Sequence, residues 1–110
     1  MTNQEILLDY LSAFNNRDIA KTLSFLNENC RVLFNGQVIL QGVESLRPLY
    51  EKDFANPELT VTLVESNVDN NNPNDVRVLL KLGANRFVDV TYVFENGKMI
   101  EHRIHSDTTH

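Results

Sequence analysis

The chain is short of several things, and each shortage excludes a class of function. It has one cysteine, Cys30, in 110 residues. No internal disulfide is possible, and no cysteine pair exists to hold a metal or run redox chemistry. Cys30 opens an apolar stretch, where a small buried thiol is the expected role. A nucleophilic role would need a basic neighbour that the sequence does not identify. Only four glycines are present, with no Gly-rich phosphate loop and no G-x-S-x-G elbow among them. Positive charge is also scarce. Ten Lys and Arg face fifteen Asp and Glu, for a net charge of −5. The basic residues are scattered, so no stripe tracks a phosphate backbone and no nucleic-acid partner is expected. No apolar run approaches the roughly 18 residues that span a bilayer, so no membrane partner is expected either. The opening MTNQEILLDY lacks a basic stretch followed by an apolar one. A cytoplasmic location is the expectation that follows.

What is present is ordinary for one globular domain: 42% hydrophobic and 23% charged residues. The spacing predicts helices first. Thr2-Asn3-Gln4-Glu5 fits a capping box, and Ile6, Leu7, Tyr10, Leu11 and Phe14 then recur at three and four. Asp18 caps a second short helix with apolar Ile19, Leu23, Phe25 and Leu26. CRVLFNGQVILQG, residues 30–42, reads as a hairpin with Asn35-Gly36 at its turn. A third helix runs from Gly42 to about Phe54 on Val43, Leu46, Leu49, Tyr50 and Phe54. Pro48 either kinks it or lies in a first turn capped by Ser45. From Glu58 the period becomes two. Strands are predicted over Leu59–Val64, Val76–Leu82, Arg86–Glu95 and Lys98 to about Ser106, with an Asn-rich loop over Asn67–Asp75. Asn96-Gly97 marks a second tight hairpin.

Three stretches in this order carry a resemblance: DYLSAFNNRDIAKTLSFLNENCRVLFNG, QGVESLRPLY and FVDVTYVFENGKMIEHRIHSD. The chain resembles the nuclear transport factor 2-like superfamily, in its SnoaL-like and ketosteroid isomerase-like branch, over nearly its full length as a single domain. The resemblance implies an α+β fold, a cone-shaped α+β barrel with three N-terminal helices packed in a highly curved, mainly antiparallel sheet. It implies a pocket at the wide end that takes a small, largely apolar molecule, and a homodimer through the outer sheet face. It is poorly specific for function, because this fold hosts unrelated activities.

In the isomerase-like members a tyrosine on the first helix donates a hydrogen bond to the substrate oxygen, and Tyr10 matches that position. It is either such a donor or a core tyrosine. The general base of those members would fall at Phe34 or Asn35, neither of which takes a proton at neutral pH. Their second carboxylic acid would fall at Val90. Asp89 is adjacent but alternates to the other face, unless a β-bulge turns it inward. Standard ketosteroid isomerisation is therefore not expected. On the last strand Ile100, His102, Ile104 and Ser106 share one face, and Glu101, Arg103 and His105 the other. The charged set belongs outside, which turns His102 toward the pocket as a general base or a packed histidine. Glu65 continues the apolar face of its strand and is a further candidate. Asp53 can in principle reach the pocket from the third helix, but beside Lys52 it reads as surface charge. His102 and His105 point to opposite faces, so no metal site is expected.

The candidate catalytic residues are therefore Tyr10, His102 and Asp89, and the candidate ligand contacts are Phe34, Tyr50, Val78, Leu80, Val90, Tyr92 and Ile104. No cofactor is implied. The function read from these residues is binding of a small, largely apolar ligand, with cofactor-free acid–base catalysis of an isomerase, cyclase or hydratase type as its enzymatic form. A non-catalytic binding domain, or an interaction domain using Leu79, Thr91 and Val93 on the outer face, is the alternative.

Overall fold

A computed structural model of the chain describes residues 1–109. The order is α1 (Asn3–Asn15), α2 (Ile19–Ser24), β1 (Leu26–Phe34), β2 (Gln37–Gln41), α3 (Val43–Phe54), β3 (Val61–Asp69), β4 (Asn72–Leu82), β5 (Arg86–Glu95) and β6 (Lys98–Thr109). The strands form one six-stranded sheet in the order β2-β1-β6-β5-β4-β3. Only the β1–β6 pair is parallel. The sheet is open, with β2 and β3 as edges, and the three helices cover one face. This is the α+β arrangement expected, as an unclosed sheet.

Local chemistry sets the element boundaries. The Thr2 hydroxyl accepts from the Glu5 amide at 3.2 Å, and the Glu5 carboxylate accepts from the Thr2 amide at 2.9 Å. Both orphan donors at the start of α1 are thereby satisfied. Asp18 accepts from the Lys21 amide at 3.1 Å and starts α2. Phe25 only caps that helix, and Leu26 already belongs to β1. Both Asn-Gly turns have positive φ at both residues, 50° and 84° at Asn35-Gly36 and 52° and 77° at Asn96-Gly97. That geometry matches the twist of the strands they join. α3 starts at Val43, not at Ser45. Gly42 precedes it at φ 91°, and the Ser45 hydroxyl donates to the Gly42 carbonyl at 2.7 Å inside the first turn. Pro48 lies within the continuous helix.

The main departure is the Asn-rich segment. It is not a loop over Asn67–Asp75: β3 runs to Asp69 and β4 resumes at Asn72. Asp69 accepts from the Asn71 amide at 2.9 Å, an Asx-type bond that closes the reversal locally. Pro73 is tolerated because it lies before the first β4 residue paired to β5, Asp75. β3 begins at Val61 rather than Leu59 because α1 fixes it there. The Asn15 side chain donates to the Val61 carbonyl and accepts from the Val61 amide, each at 2.8 Å. Arg17, at φ 57°, donates to the carbonyls of Asn56 and Leu59 at 2.7 and 2.9 Å. Asn15 at the end of α1 and Arg17 just beyond it thus pin the start of an edge strand.

Asn15→Ala removes a donor and an acceptor at once and leaves both Val61 backbone groups without them. The expected loss is about 1–3 kcal/mol of unfolding free energy, read from urea titration, with the urea slope unchanged. A loss within the error of wild type would show that the α1–β3 tie contributes nothing.

Candidate functional site

Inward-facing side chains grade along the sheet from sealed to open. At one end Val76, Phe94 and Met99 are almost completely buried. Toward the other end Leu80 and Leu82 of β4, Val88, Val90 and Tyr92 of β5, and His102 and Ile104 of β6 line a cavity of about 180 Å³. Tyr10, Leu11 and Phe14 of α1 and Leu46, Leu49, Tyr50 and Asp53 of α3 complete its walls. Arg86 and Asp107 line the same cavity from the ends of β5 and β6.

The interior holds three tyrosines and a histidine in edge-to-face contact. The Tyr10 and Tyr50 hydroxyls are 2.6 Å apart. The ring centroid of Tyr10 lies 5.7 Å from Tyr92 and 6.1 Å from His102, and that of Tyr92 lies 4.8 Å from His102. Burial pushes the Tyr10 phenol well above its ordinary range, and the neighbouring Tyr50 adds to this. Burial does the same to Tyr50 and Tyr92. These groups stay neutral and act as hydrogen-bond donors, not as phenolates. Burial lowers the His102 pKa to about 4, so its ring is neutral at pH 7. The Nε2 atom of His102 is buried without a hydrogen-bond partner.

Cys30 is fully buried, and burial pushes its thiol up to about 12. That environment makes a nucleophile inert.

Two strand irregularities decide which charges reach the cavity. On β6, Asp89 pairs with Ser106 while Val90 pairs with Ile104, so His105 is an extra residue. The bulge is on β6, not on β5 where it would have rotated Asp89. It resets parity and brings Asp107 to the cavity side beside Val88. Asp89 lies on the outer face. Both its oxygens accept from Arg77, at 3.0 and 2.8 Å, and this pairing lowers its pKa. On β3, Leu63 pairs with Leu80 and Glu65 with Leu79, so Val64 is extra and Glu65 is shifted away from the cavity. Glu65 borders an outer groove with Arg77 and Asp89.

The structure therefore brings Tyr10, Tyr50, Leu80, Val90, Tyr92, His102 and Ile104 together around one cavity. Three candidates lie elsewhere. Asp89 is on the other face. Val78 is sealed in the core, 1% exposed, beyond the cavity's closed end. Phe34 sits at the hairpin tip, 38% exposed, and does not line the cavity.

Three charged residues at the cavity were not singled out from the sequence. Arg86 donates to both Asp107 oxygens at 2.9 and 2.7 Å, and this holds the Asp107 carboxyl below the ordinary range. Asp53 is held above it, because partial burial outweighs the nearby charges of Arg86 and Lys52. The signal for Asp53 was in the sequence. It follows Leu46 by seven and Tyr50 by three, on the same helical face. The signal for Arg86 was parity with Val88 and Val90. Asp107 gave none, because the bulge precedes it.

The outer face is largely self-satisfied. Glu101 pairs with both Arg31 and Arg103, and Arg103 also reaches Asp75 at 3.9 Å. Thr91 bonds His105 at 2.7 Å, and Thr91 and Val93 are already buried within the chain. No helix among the described residues is long and apolar enough to cross a membrane.

This fold is that of the NTF2-like, SnoaL-like and cystatin-fold proteins. An NTF2-like protein of unknown function from Cytophaga hutchinsonii superposes with a TM-score of 0.79 at 18% identity, over 96% of this chain and 89% of that one. A SnoaL-like protein of unknown function from Burkholderia thailandensis gives 0.78 at 14%, over 94% and 92%. The epoxide hydrolase/cyclase-like enzyme SalBIII, studied for pyran ring formation in salinomycin, gives 0.80 at 15%, over 94% and 88%. At such identities the likeness establishes the fold alone. No protein-family model matches the sequence, and no curated protein does.

The buried histidine sets a pH dependence. His102 binds a proton at about 6.5 when exposed and only at about 4 in the fold. Between these values the unfolded chain holds more protons, so stability falls as pH falls through this window. The full difference is on the order of 3 kcal/mol. His102→Leu should remove that share of the acid sensitivity, seen as a wild-type-minus-variant difference in unfolding free energy that changes between pH 6.5 and 4. A constant difference across the window would show that the ring is not held neutral by burial.

Proposed function

We propose that this chain binds a compact, largely apolar molecule in the cavity and holds one neutral oxygen function of it against His102 and the tyrosines. The observation that carries this reading is the buried, unpartnered Nε2 of His102 in the wall of a largely aliphatic and aromatic chamber. A buried polar atom without a partner is destabilising, and a ligand hydroxyl or carbonyl beside it supplies the missing bond. The Tyr10–Tyr50 hydroxyl pair, with Tyr92 beside it, lines the same cavity and brings further polar atoms to such a ligand. The volume, about 180 Å³, fits a ligand of single-ring size.

Acid–base turnover without a cofactor is the second reading. Tyr10 is placed to donate to a developing oxyanion, and neutral His102 is an available, weak base. The epoxide hydrolase/cyclase-like character of SalBIII lies in the same direction. Were turnover found, His102→Leu would abolish it in a folded protein.

The binding reading is tested with toluene and benzyl alcohol, two probes of similar shape. Both should raise the thermal midpoint of the wild type, with the alcohol bound about fivefold or more tightly, as expected for one buried hydrogen bond. In His102→Leu that preference should disappear while toluene still binds. Failure of both probes to bind the wild type would end the cavity reading, and a preference that survives in the variant would remove His102 from it.

A further inference from the structure

The mouth of the cavity carries its own chemistry. Asp53, Arg86 and Asp107 all line it, together with the half-exposed Leu49. Arg86 is committed: its Nε and Nη2 grip both oxygens of Asp107. Its Nε–Nη2 edge is thereby occupied and its charge is balanced by Asp107, with only the Nη1–Nη2 end left over. Asp53 is different. Its carboxylate has no hydrogen-bond or ion-pair partner among the described residues, although it is partly buried. Among the lining residues one carboxylate is paired and the other, Asp53, feels Arg86 and Lys52 only at a distance. The chain as a whole carries −5, which also favours approach of a cation. Just inside, Tyr10, Phe14, Tyr50 and Tyr92 give the chamber aromatic walls, a surface that accepts an ammonium against ring faces. The unpartnered His102 nitrogen in the same wall independently marks the cavity as built around a ligand.

We propose that the cavity is selective for compact primary or secondary amines, with Asp53 as the residue that receives the ammonium at the lip. The inference rests on the binding reading above and adds the charge class of the ligand. The apolar body fills the chamber, the ammonium stays at the partly wet mouth where its desolvation is least, and Asp53 supplies the counter-charge. Anionic ligands meet two carboxylates lining the mouth, with Lys52 beside it but not among the lining residues.

The test compares benzylamine, benzyl alcohol and benzoate by calorimetry at pH 7.5 and low salt. Wild type should bind benzylamine about fivefold more tightly than the alcohol, the increment of one partly exposed ion pair, and benzoate least tightly. The amine-to-alcohol ratio should fall to about one in Asp53→Asn and stay high in Asp53→Glu. It should also shrink in 0.5 M salt, as a screened lip charge requires (a Debye length of roughly 4 Å). Equal binding of amine and alcohol by wild type overturns the proposal. So does a preference that survives in Asp53→Asn. Binding of the alcohol without amine preference leaves the cavity reading standing and this one fallen. Failure of all three probes overturns both.

Discussion

Side chains along a strand alternate between faces, so one additional residue inverts everything beyond it. His105 is such a residue, and much of the site depends on it. With strict alternation from His102, Asp107 would share the outer face with Glu101 and Arg103. The bulge at His105 returns Asp107 to the inner side, where Arg86 can grip it at the mouth. A second extra residue, Ile100, does the same work earlier on β6. It puts Met99 opposite Phe94 in the sealed end while Glu101 stays outside with its two arginines. The two bulges divide β6 into a core segment, a cavity segment and a mouth segment, each with the right face inward.

This explains what the sequence could and could not disclose. The helices were legible because their signals are local. A capping box, an Asp cap and apolar residues at three and four do not depend on distant contacts. The two Asn-Gly turns were legible for the same reason. His102 was placed correctly at the cavity because parity holds between the two β6 bulges. Glu65 was misplaced because the Val64 bulge breaks parity just before it. The Asn67–Asp75 segment was misread because composition alone favoured a loop. Its side chains instead bond the backbone of a tight reversal, a use of Asn and Asp that composition does not separate from disorder. Asp53 was lost to a weaker argument, its neighbour Lys52, when helical spacing already aligned it with Leu46 and Tyr50.

The electrostatics of the site also divide by depth. Inside, every titratable group is held neutral by burial: three phenols pushed up, one imidazole pushed down. At the mouth the groups are charged and partly solvated. In the proposed binding, the charged layer sets the preferred charge of the ligand and the neutral layer supplies hydrogen bonds that water does not weaken. A molecule satisfying both layers has an apolar body and two different polar ends.

Folding alone does not account for His102. Its ring is 6% exposed, its Nε2 has no partner, and its contacts to Tyr10 and Tyr92 are edge contacts that a phenylalanine or leucine could replace. An unsatisfied buried nitrogen destabilises by about 1–3 kcal/mol relative to a satisfied one. Val90 and Ile104 on the neighbouring rungs show that this wall is otherwise built from aliphatic side chains. A polar atom held at such a place against the stability of the fold is what supports the proposed ligand binding. The floor of the chamber thus presents a ring nitrogen that the protein does not satisfy by itself.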